Sequence, residues 1–131
     1  MKERITIVDY GLGNLASIKN MIKKVGGNSI ITSDVEEIDR AEKIILPGVG
    51  SFHKGMQNLR ESGLIDILNK KVIDQKTPIL GICLGMQLLT QHSEEGNVNG
   101  LGWVNAKTVL FDKLKLSEDL KVPHMGWSDI T

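Results

Sequence analysis

Short apolar runs alternate with amphipathic segments along most of the chain. Each run is rich in β-branched or aliphatic residues and ends at a turn, which predicts a buried strand. The predicted strands span residues 5–8, 29–32, 43–46 and 77–82. Between them apolar residues recur at helical spacing, and the predicted helices span residues 15–25, 34–41, 52–61, 64–74 and 84–91. After Gly96 the pattern changes to short strand-like pieces around residues 103–111 and 121–127.

Polar residues and glycines mark the boundaries of the first two helices. Asn14 is placed to cap the first helix, and Gly26 is placed to end it. Ser33 or Asp34 is placed to cap the second, which carries acidic residues in its first turn. These boundaries leave short turns between the elements.

The alternation of strands and helices predicts an α/β fold, in which helices cover both faces of a mostly parallel sheet. A length of 131 residues fits a single domain. Active sites in such sheets lie beyond the carboxyl ends of the strands. Three glycine-rich turns fall at such ends, at residues 9–14, 47–50 and 81–85.

The composition is that of an ordinary globular domain, with 40% hydrophobic and 24% charged residues. Basic and acidic residues number 16 each, so no net charge favours nucleic acid or an anionic membrane. The single cysteine excludes a disulfide within the chain and fits a reducing, cytoplasmic setting. The first residues lead directly into a strand without the pattern of a signal peptide, and no apolar run has the length of a membrane span.

The segment Gly81-Ile82-Cys83-Leu84-Gly85 has the pattern of a nucleophile elbow, with cysteine in the position of the nucleophile. A strand that turns sharply into a helix crowds the residues two positions before and after the nucleophile, and glycine relieves that crowding. The positive end of the following helix would favour a thiolate at Cys83, and the N–H of Leu84 would be placed to stabilise an oxyanion. The alternative is a buried, unreactive cysteine in a strand.

The loop Pro47-Gly48-Val49-Gly50 ends the preceding strand, so we expect it to lie beside the elbow. Its two glycines would let the backbone reorient, and the N–H of Val49 could then turn toward the same anion. The alternative is a plain tight turn. The loop alone is a weak signal, and its pairing with the elbow is a stronger one.

Four motifs occur in the order found in a known protein family. They are Val8-Asp9-Tyr10-Gly11-Leu12-Gly13-Asn14, Leu46-Pro47-Gly48-Val49-Gly50-Ser51-Phe52, Gly81-Ile82-Cys83-Leu84-Gly85-Met86-Gln87 and Val122-Pro123-His124-Met125-Gly126-Trp127. Over its whole length the chain resembles the class I glutamine amidotransferases, which share a flavodoxin-like sheet. The first and last motifs resemble in particular the glutaminase subunits of imidazole glycerol phosphate synthases, which act in histidine biosynthesis.

The resemblance implies a glutaminase in which the Cys83 thiolate attacks the side-chain amide of glutamine. It implies an oxyanion hole formed by the N–H groups of Leu84 and Val49. It implies further that the glutamine pocket includes Gly50, Gln87 and Glu95.

The resemblance also implies a partner. Ammonia passes to a separate cyclase subunit with a (β/α)8 barrel, and the two subunits form a heterodimer. The positions that match the interface with this partner are Asn14, His124 and Trp127. No metal or organic cofactor is implied.

A cysteine amidase needs a base, which in this family is a histidine of a His-x-Glu pair near the C-terminus. The chain stops before that region, so we expect it to be the N-terminal portion of the domain and inactive by itself. His92-Ser93-Glu94 has the right pattern, but on one helix His92 would lie roughly 13 Å from Cys83. We therefore interpret His92 as a helix C-terminal residue and His53 as a surface residue.

Three other functions remain open. The stretch His92 to Gly96, together with Gly100-Leu101-Gly102-Trp103, also resembles paralogues that supply ammonia for amidation in surface-polysaccharide sugar synthesis. A chain without its base could instead be a non-catalytic remnant that only binds its partner. A redox-sensing domain with a cysteine elbow is a weaker alternative, because it does not explain the motifs at Pro47 and Pro123.

Overall fold

The centre of the molecule is a parallel sheet of four strands. The structure, a computed structural model, describes residues 3–112, 114, 115, 117, 118 and 126–131. The sheet contains β1 (Arg4–Val8), β2 (Asn28–Thr32), β3 (Lys43–Leu46) and β4 (Ile79–Gly81), in the order β2-β1-β3-β4. The predicted parallel α/β fold is confirmed, with a fourth strand shorter than the predicted range 77–82.

Helices connect these strands and cover the sheet. Within the described residues they are α1 (Leu15–Lys24), α2 (Val35–Asp39), α3 (Phe52–Ser62), α4 (Ile65–Asn69) and α5 (Leu84–Leu88). In β3, Ile44 and Leu46 pack in one apolar layer with residues of α2 to α5, while Ile45 packs in a second layer with Ile22 of α1. Because successive strand residues face opposite sides, an uninterrupted apolar strand is what two covered faces require.

The first two helices begin with the predicted caps. The Asn14 Oδ1 accepts a hydrogen bond from the Ser17 N–H at 3.4 Å, and the chain leaves α1 through Gly26 with φ +89°. The Asp34 Oδ1 accepts from the Glu36 N–H at 2.8 Å, so Asp34 rather than Ser33 caps α2. This second helix ends at Asp39, two residues before the predicted end at 41.

The predicted helix over residues 64–74 changes its winding halfway. It is α-helical to Asn69 and continues as a π-helical segment, Lys70–Asp74, in which the Gln75 N–H donates to the Lys70 carbonyl. The buried Lys71 ammonium donates to the Asp39 carbonyl at 2.8 Å and to Gln75 Oε1 at 2.9 Å. A buried ammonium needs such acceptors, and Gln75, four positions later on the same helical face, supplies one of them.

The helix after Cys83 is also shorter than predicted, because α5 ends at Leu88 instead of residue 91. The carbonyls of Leu88, Leu89 and Thr90 accept hydrogen bonds from the N–H groups of residues 101, 104 and 102. A later segment therefore satisfies carbonyls that a longer helix would have used.

A small second sheet follows, in the order β6-β5-β7, formed by β5 (His92–Ser93), β6 (Val98–Asn99) and β7 (Lys107–Thr108). The first two of these strands are absent from the sequence prediction, and the predicted piece at 103–111 is reduced to β7. Most of the piece predicted at 121–127 lies outside the described residues. Among the helices that the structure describes, none is both long and apolar enough to cross a membrane.

The register of the main sheet decides where the functional loops meet. Leu46 at the end of β3 pairs with Gly81 at the end of β4. The loops that follow these two strands therefore leave the sheet side by side at its carboxyl edge.

Candidate active site

Cys83 occupies the sharp turn between β4 and α5. Its backbone has φ +53° and ψ −119°, a conformation that side chains of L-residues rarely adopt, and its side chain is exposed. Such strain is a known feature of the nucleophile position in elbow turns. The alternative of a buried, unreactive cysteine does not fit this exposure.

The glycines on either side of Cys83 are required by close backbone contacts. A Cβ on Gly81 would lie 2.6 Å from the Met86 Cα, and a Cβ on Gly85 would overlap the Leu46 carbonyl oxygen. Both clashes involve backbone atoms, which cannot rotate away. The crowding that the sequence pattern predicts is therefore present on both sides of the elbow.

The Leu84 N–H points at the neighbouring loop. It donates a hydrogen bond to the Gly48 carbonyl at 3.3 Å. Because a trans peptide carries its C=O and N–H on opposite sides, the Val49 N–H is directed away from Leu84. The Leu84 and Val49 N–H groups, which are expected to form an oxyanion hole, thus belong to neighbouring segments. In this conformation, however, the Leu84 N–H is bonded to the Gly48 oxygen, and the Val49 N–H points away.

The loop beside Cys83 has the freedom to change this arrangement. Gly50 has φ +108°, and no atom lies within 4 Å of a Cβ placed there. Val49 is 53% exposed. The second half of the loop therefore leaves open space beside Gly50, and its positive φ favours glycine.

The predicted glutamine-binding residues lie around the same edge. Gln87 follows Cys83 by one helical turn, and its N–H donates to the Cys83 carbonyl at 3.2 Å. Glu95 Oε1 accepts a hydrogen bond from the Phe52 N–H at 3.1 Å, which holds the carboxylate at the start of α3, two residues after Gly50. The structure therefore gathers Gly50, Gln87 and Glu95 near the elbow.

Tyr10 is a site residue that sequence reasoning missed. Its motif was recognised, but no role was assigned to this side chain. It is 4% exposed, and its hydroxyl donates to the Pro47 carbonyl at 2.5 Å. Burial raises the pKa of Tyr10, and the nearby negative charge of Cys83 raises it further. An aromatic residue in a turn directly after a buried strand was the available signal.

The histidines lie elsewhere, and His92 does not end a helix as predicted. His92 belongs to β5, and its Nε2 lies 2.8 Å from Asn97 Oδ1. The helical distance to Cys83 therefore does not apply, although the observed partner of the ring is an asparagine. His53 is exposed on α3, as expected for a surface residue.

The residues expected at a partner interface are only partly described. Asn14 is exposed at the start of α1, and Trp127 is 104% exposed. His124 lies outside the described residues. Among the residues that are described, no three His, Cys, Asp or Glu side chains are grouped so that they could hold a metal ion.

Comparison with known proteins defines the class to which this fold and this site belong. Residues 6–129 match the family described as glutamine amidotransferase class-I. The match covers nearly the whole chain, and the chain belongs to this family.

Individual relatives agree with the resemblance drawn from the four motifs. The chain is 65% identical over 124 residues to the imidazole glycerol phosphate synthase subunit HisH 2 of Methanococcus maripaludis, a match that covers 95% of this chain and 60% of that protein. It is 50% identical over 125 residues to the imidazole glycerol phosphate synthase subunit HisH of Sulfurimonas denitrificans, with 95% and 60% covered. The chain thus spans about 60% of the length of these relatives.

A solved structure shares the fold. A crystal structure of a glutamine amidotransferase superposes with a TM-score of 0.66 at 21% sequence identity, covering 79% of this chain and 55% of that one. This likeness supports the architecture of the sheet and its helices.

Proposed function

We propose that this chain carries the nucleophile of a glutaminase that releases ammonia for a partner subunit in histidine biosynthesis. The observation that supports this proposal is the position of Cys83. An exposed thiol stands in a strained turn directly before the Leu84 N–H, which donates to the Gly48 carbonyl of the neighbouring loop. Acyl transfer by a cysteine needs an accessible thiol beside an N–H group that can bind an oxyanion, and the Leu84 N–H becomes such a donor once the Gly48 carbonyl turns away.

The reaction begins with attack of the Cys83 thiolate on the side-chain amide carbon of glutamine. A carbon–sulfur bond forms, and the amide oxygen becomes an oxyanion that the Leu84 N–H can bind. Collapse of this intermediate breaks the carbon–nitrogen bond, and ammonia leaves after receiving a proton. Water then cleaves the glutamyl thioester, which releases glutamate and restores the thiol.

A general base must take and return the protons in these steps. By resemblance this base is the histidine of a His-x-Glu pair. His92 does not fit that role, because its ring is paired with an asparagine instead of a glutamate. Its ring is hydrogen-bonded to Asn97 within the hairpin of β5 and β6. His53 points to solvent from α3.

The pocket chemistry fits free glutamine, which carries an ammonium group as well as the amide. Glu95 supplies a carboxylate whose Oε1 is held by the Phe52 N–H, while Oε2 can still accept a hydrogen bond from an ammonium. Gln87 lies one helical turn from Cys83 and can contact the amide end. In these roles Glu95 would bind the ammonium end of the substrate, and Gln87 would contact the amide end beside Cys83.

The partner in this proposal is a cyclase with a (β/α)8 barrel, which receives the ammonia. Both relatives described above carry the word subunit in their names, which supports assembly with a second protein. The full exposure of Trp127 also fits contact surface, since tryptophan is enriched at interfaces.

The test uses the protein expressed from its intact reading frame and a glutamine-like electrophile, such as a chloroketone analogue. We expect the reagent to modify Cys83, as mapped by mass spectrometry, and free glutamine to slow the modification while asparagine does not. Iodoacetamide serves as the control reagent, because it reports exposure of the thiol without recognition of glutamine. Cys83→Ser should abolish both modification and ammonia release.

Modification at another residue, or no protection by glutamine, would contradict the assignment of the nucleophile. Modification of Cys83 without ammonia release in the presence of the cyclase would instead support the non-catalytic alternative. Ammonia release that a cyclase fails to stimulate, but a sugar-amidating partner stimulates, would support the polysaccharide branch.

A further inference from the structure

The Tyr10 side chain connects the turn after β1 to the loop that faces Cys83. The hydroxyl donates to the Pro47 carbonyl at 2.5 Å in a buried environment. The turn that carries Tyr10 is itself fixed, because Asn58 Nδ2 donates to the Tyr10 carbonyl at 3.1 Å and the Gly11 N–H donates to Asp9 Oδ1 at 3.0 Å. The hydroxyl therefore acts from a rigid position.

The same hydroxyl lies directly against Gly48. A Cβ on Gly48 would clash with the Tyr10 oxygen and would lie 3.1 Å from the Gly85 N. On the other side of the loop, a Cβ on Gly13 would lie 3.5 Å from both the Gly48 N and the Pro47 Cβ. The first half of the loop is thus enclosed, whereas a Cβ on Gly50 in the second half would meet no atom within 4 Å.

This contrast divides the loop at Gly48. The Pro47–Gly48 peptide is held by a buried hydrogen bond, and the next peptide carries the carbonyl that accepts from the Leu84 N–H at 3.3 Å. Any rotation that turns the Val49 N–H toward the elbow must occur at this second peptide. Holding the first peptide fixes the position of the Gly48 Cα, and from that position the Gly48 carbonyl reaches the Leu84 N–H.

We infer that Tyr10 is a positioning residue that regulates the site by favouring the resting conformation, in which the Gly48 carbonyl occupies the Leu84 N–H. The expected effect on ammonia release rests on the proposed glutaminase function, whereas the expected effect on the Leu84 hydrogen bond does not. Burial raises the pKa of the Tyr10 hydroxyl, and the negative charge of Cys83 raises it further, so both effects favour the protonated form that donates to Pro47.

The experiment compares the wild type with Tyr10→Phe in the protein from the intact reading frame. Amide hydrogen exchange at Leu84 is followed by NMR, with Leu101 as the reference amide because its N–H donates to the Leu88 carbonyl at 2.8 Å, away from the loop. Loss of one hydrogen bond should speed exchange at Leu84 by about 2- to 10-fold and leave Leu101 unchanged.

The matched control is Ser62→Ala, which removes a hydroxyl that donates to the Leu59 carbonyl at 2.8 Å in α3. It deletes the same type of hydrogen bond far from the elbow, and neither amide should respond. In the kinetic assay, Tyr10→Phe should raise ammonia release in the absence of acceptor by a similar factor, with KM for glutamine unchanged.

Unchanged exchange at Leu84 in Tyr10→Phe would overturn the inference. Equal acceleration at Leu84 and Leu101 would overturn it as well, since it would show general loosening of the structure. Selective acceleration at Leu84 in a protein that does not hydrolyse glutamine would support the positioning role of Tyr10 and refute the proposed function.

Discussion

The backbone strain at Cys83 predicts a stability change of unusual sign. At most positions glycine is less stable than alanine, because its unfolded chain has more conformational freedom. Cys83 has φ +53° and ψ −119°, where any residue with a Cβ is strained. We therefore expect Cys83→Gly to be more stable than Cys83→Ala.

The magnitude follows from two opposing terms. Strain in a sparsely populated backbone region costs about 1–3 kcal/mol, and glycine removes most of it. The entropy of glycine in the unfolded chain costs about 0.5–1 kcal/mol. The net expectation is a gain of up to about 2.5 kcal/mol for glycine over alanine. The thiol does not enter the comparison, because both variants lack it.

The preference of helix N-caps for glycine over alanine acts in the same direction, since Cys83 is the residue before α5. The control position is Ala16, which is exposed within α1 and has ordinary helical geometry. There the change from alanine to glycine should cost about 1 kcal/mol.

Equilibrium unfolding in urea measures both pairs, with the slope of the free energy against urea checked for constancy. The expected result is opposite signs at the two positions. If Cys83→Gly is less stable than Cys83→Ala by an amount similar to that of Ala16→Gly, the elbow is not strained and the geometric argument for Cys83 fails.

Two further predictions concern the loop and the substrate. Gly50→Ala adds a Cβ where φ is +108°, so it should leave KM for glutamine largely unchanged and reduce stimulation by the cyclase and its acceptor by roughly 100-fold, the effect of losing one oxyanion donor. Gly63→Ala is the control, because Gly63 also has positive φ and open space around it but lies at the end of α3 instead of in the loop. If both variants are stimulated as strongly as the wild type, rotation at Gly50 has no role. Glu95→Gln should raise KM for glutamine roughly 10-fold by removing the charge that faces the ammonium. Glu94→Gln should not, since Glu94 Oε2 instead accepts from the Leu110 N–H at 2.9 Å, and equal KM values in the two variants would argue against a substrate contact at Glu95.

The main sheet and its helix caps could be predicted from the sequence because the determining interactions are local. Ile44, Ile45 and Leu46 form a short aliphatic run after Lys43, and Lys43–Leu46 forms β3 with the predicted bounds. Asn14 and Asp34 accept hydrogen bonds from N–H groups two or three residues later. The crowding at Gly81 and Gly85 is local as well, since both residues belong to the turn that creates it.

The parts that differ from prediction depend on distant partners. Helix α5 stops at Leu88 because the carbonyls at its end accept hydrogen bonds from N–H groups of residues 101–104. The sequence of residues 84–91 alone gives no indication of these distant hydrogen bonds. The role of Tyr10 depends on Pro47, which is 37 residues away. The π-helical segment depends on Lys71 reaching the carbonyl of Asp39 in α2. Local periodicity carries no information about such contacts.

The conformation of the loop also has a thermodynamic consequence for control of the site. The Leu84 N–H is a single donor, so it cannot serve the Gly48 carbonyl and a glutamine oxyanion together. Under the proposed function, the resting conformation would therefore oppose catalysis by the free energy of that hydrogen bond and by the misdirection of the Val49 N–H. A partner or acceptor can raise turnover only if it binds the rotated loop more tightly than the resting one. Linkage is reciprocal: the factor by which the partner tightens binding of an oxyanion-trapping glutamine analogue equals the factor by which the analogue tightens binding of the partner. The affinities of the two ligands therefore report the same equilibrium between the resting and rotated loop.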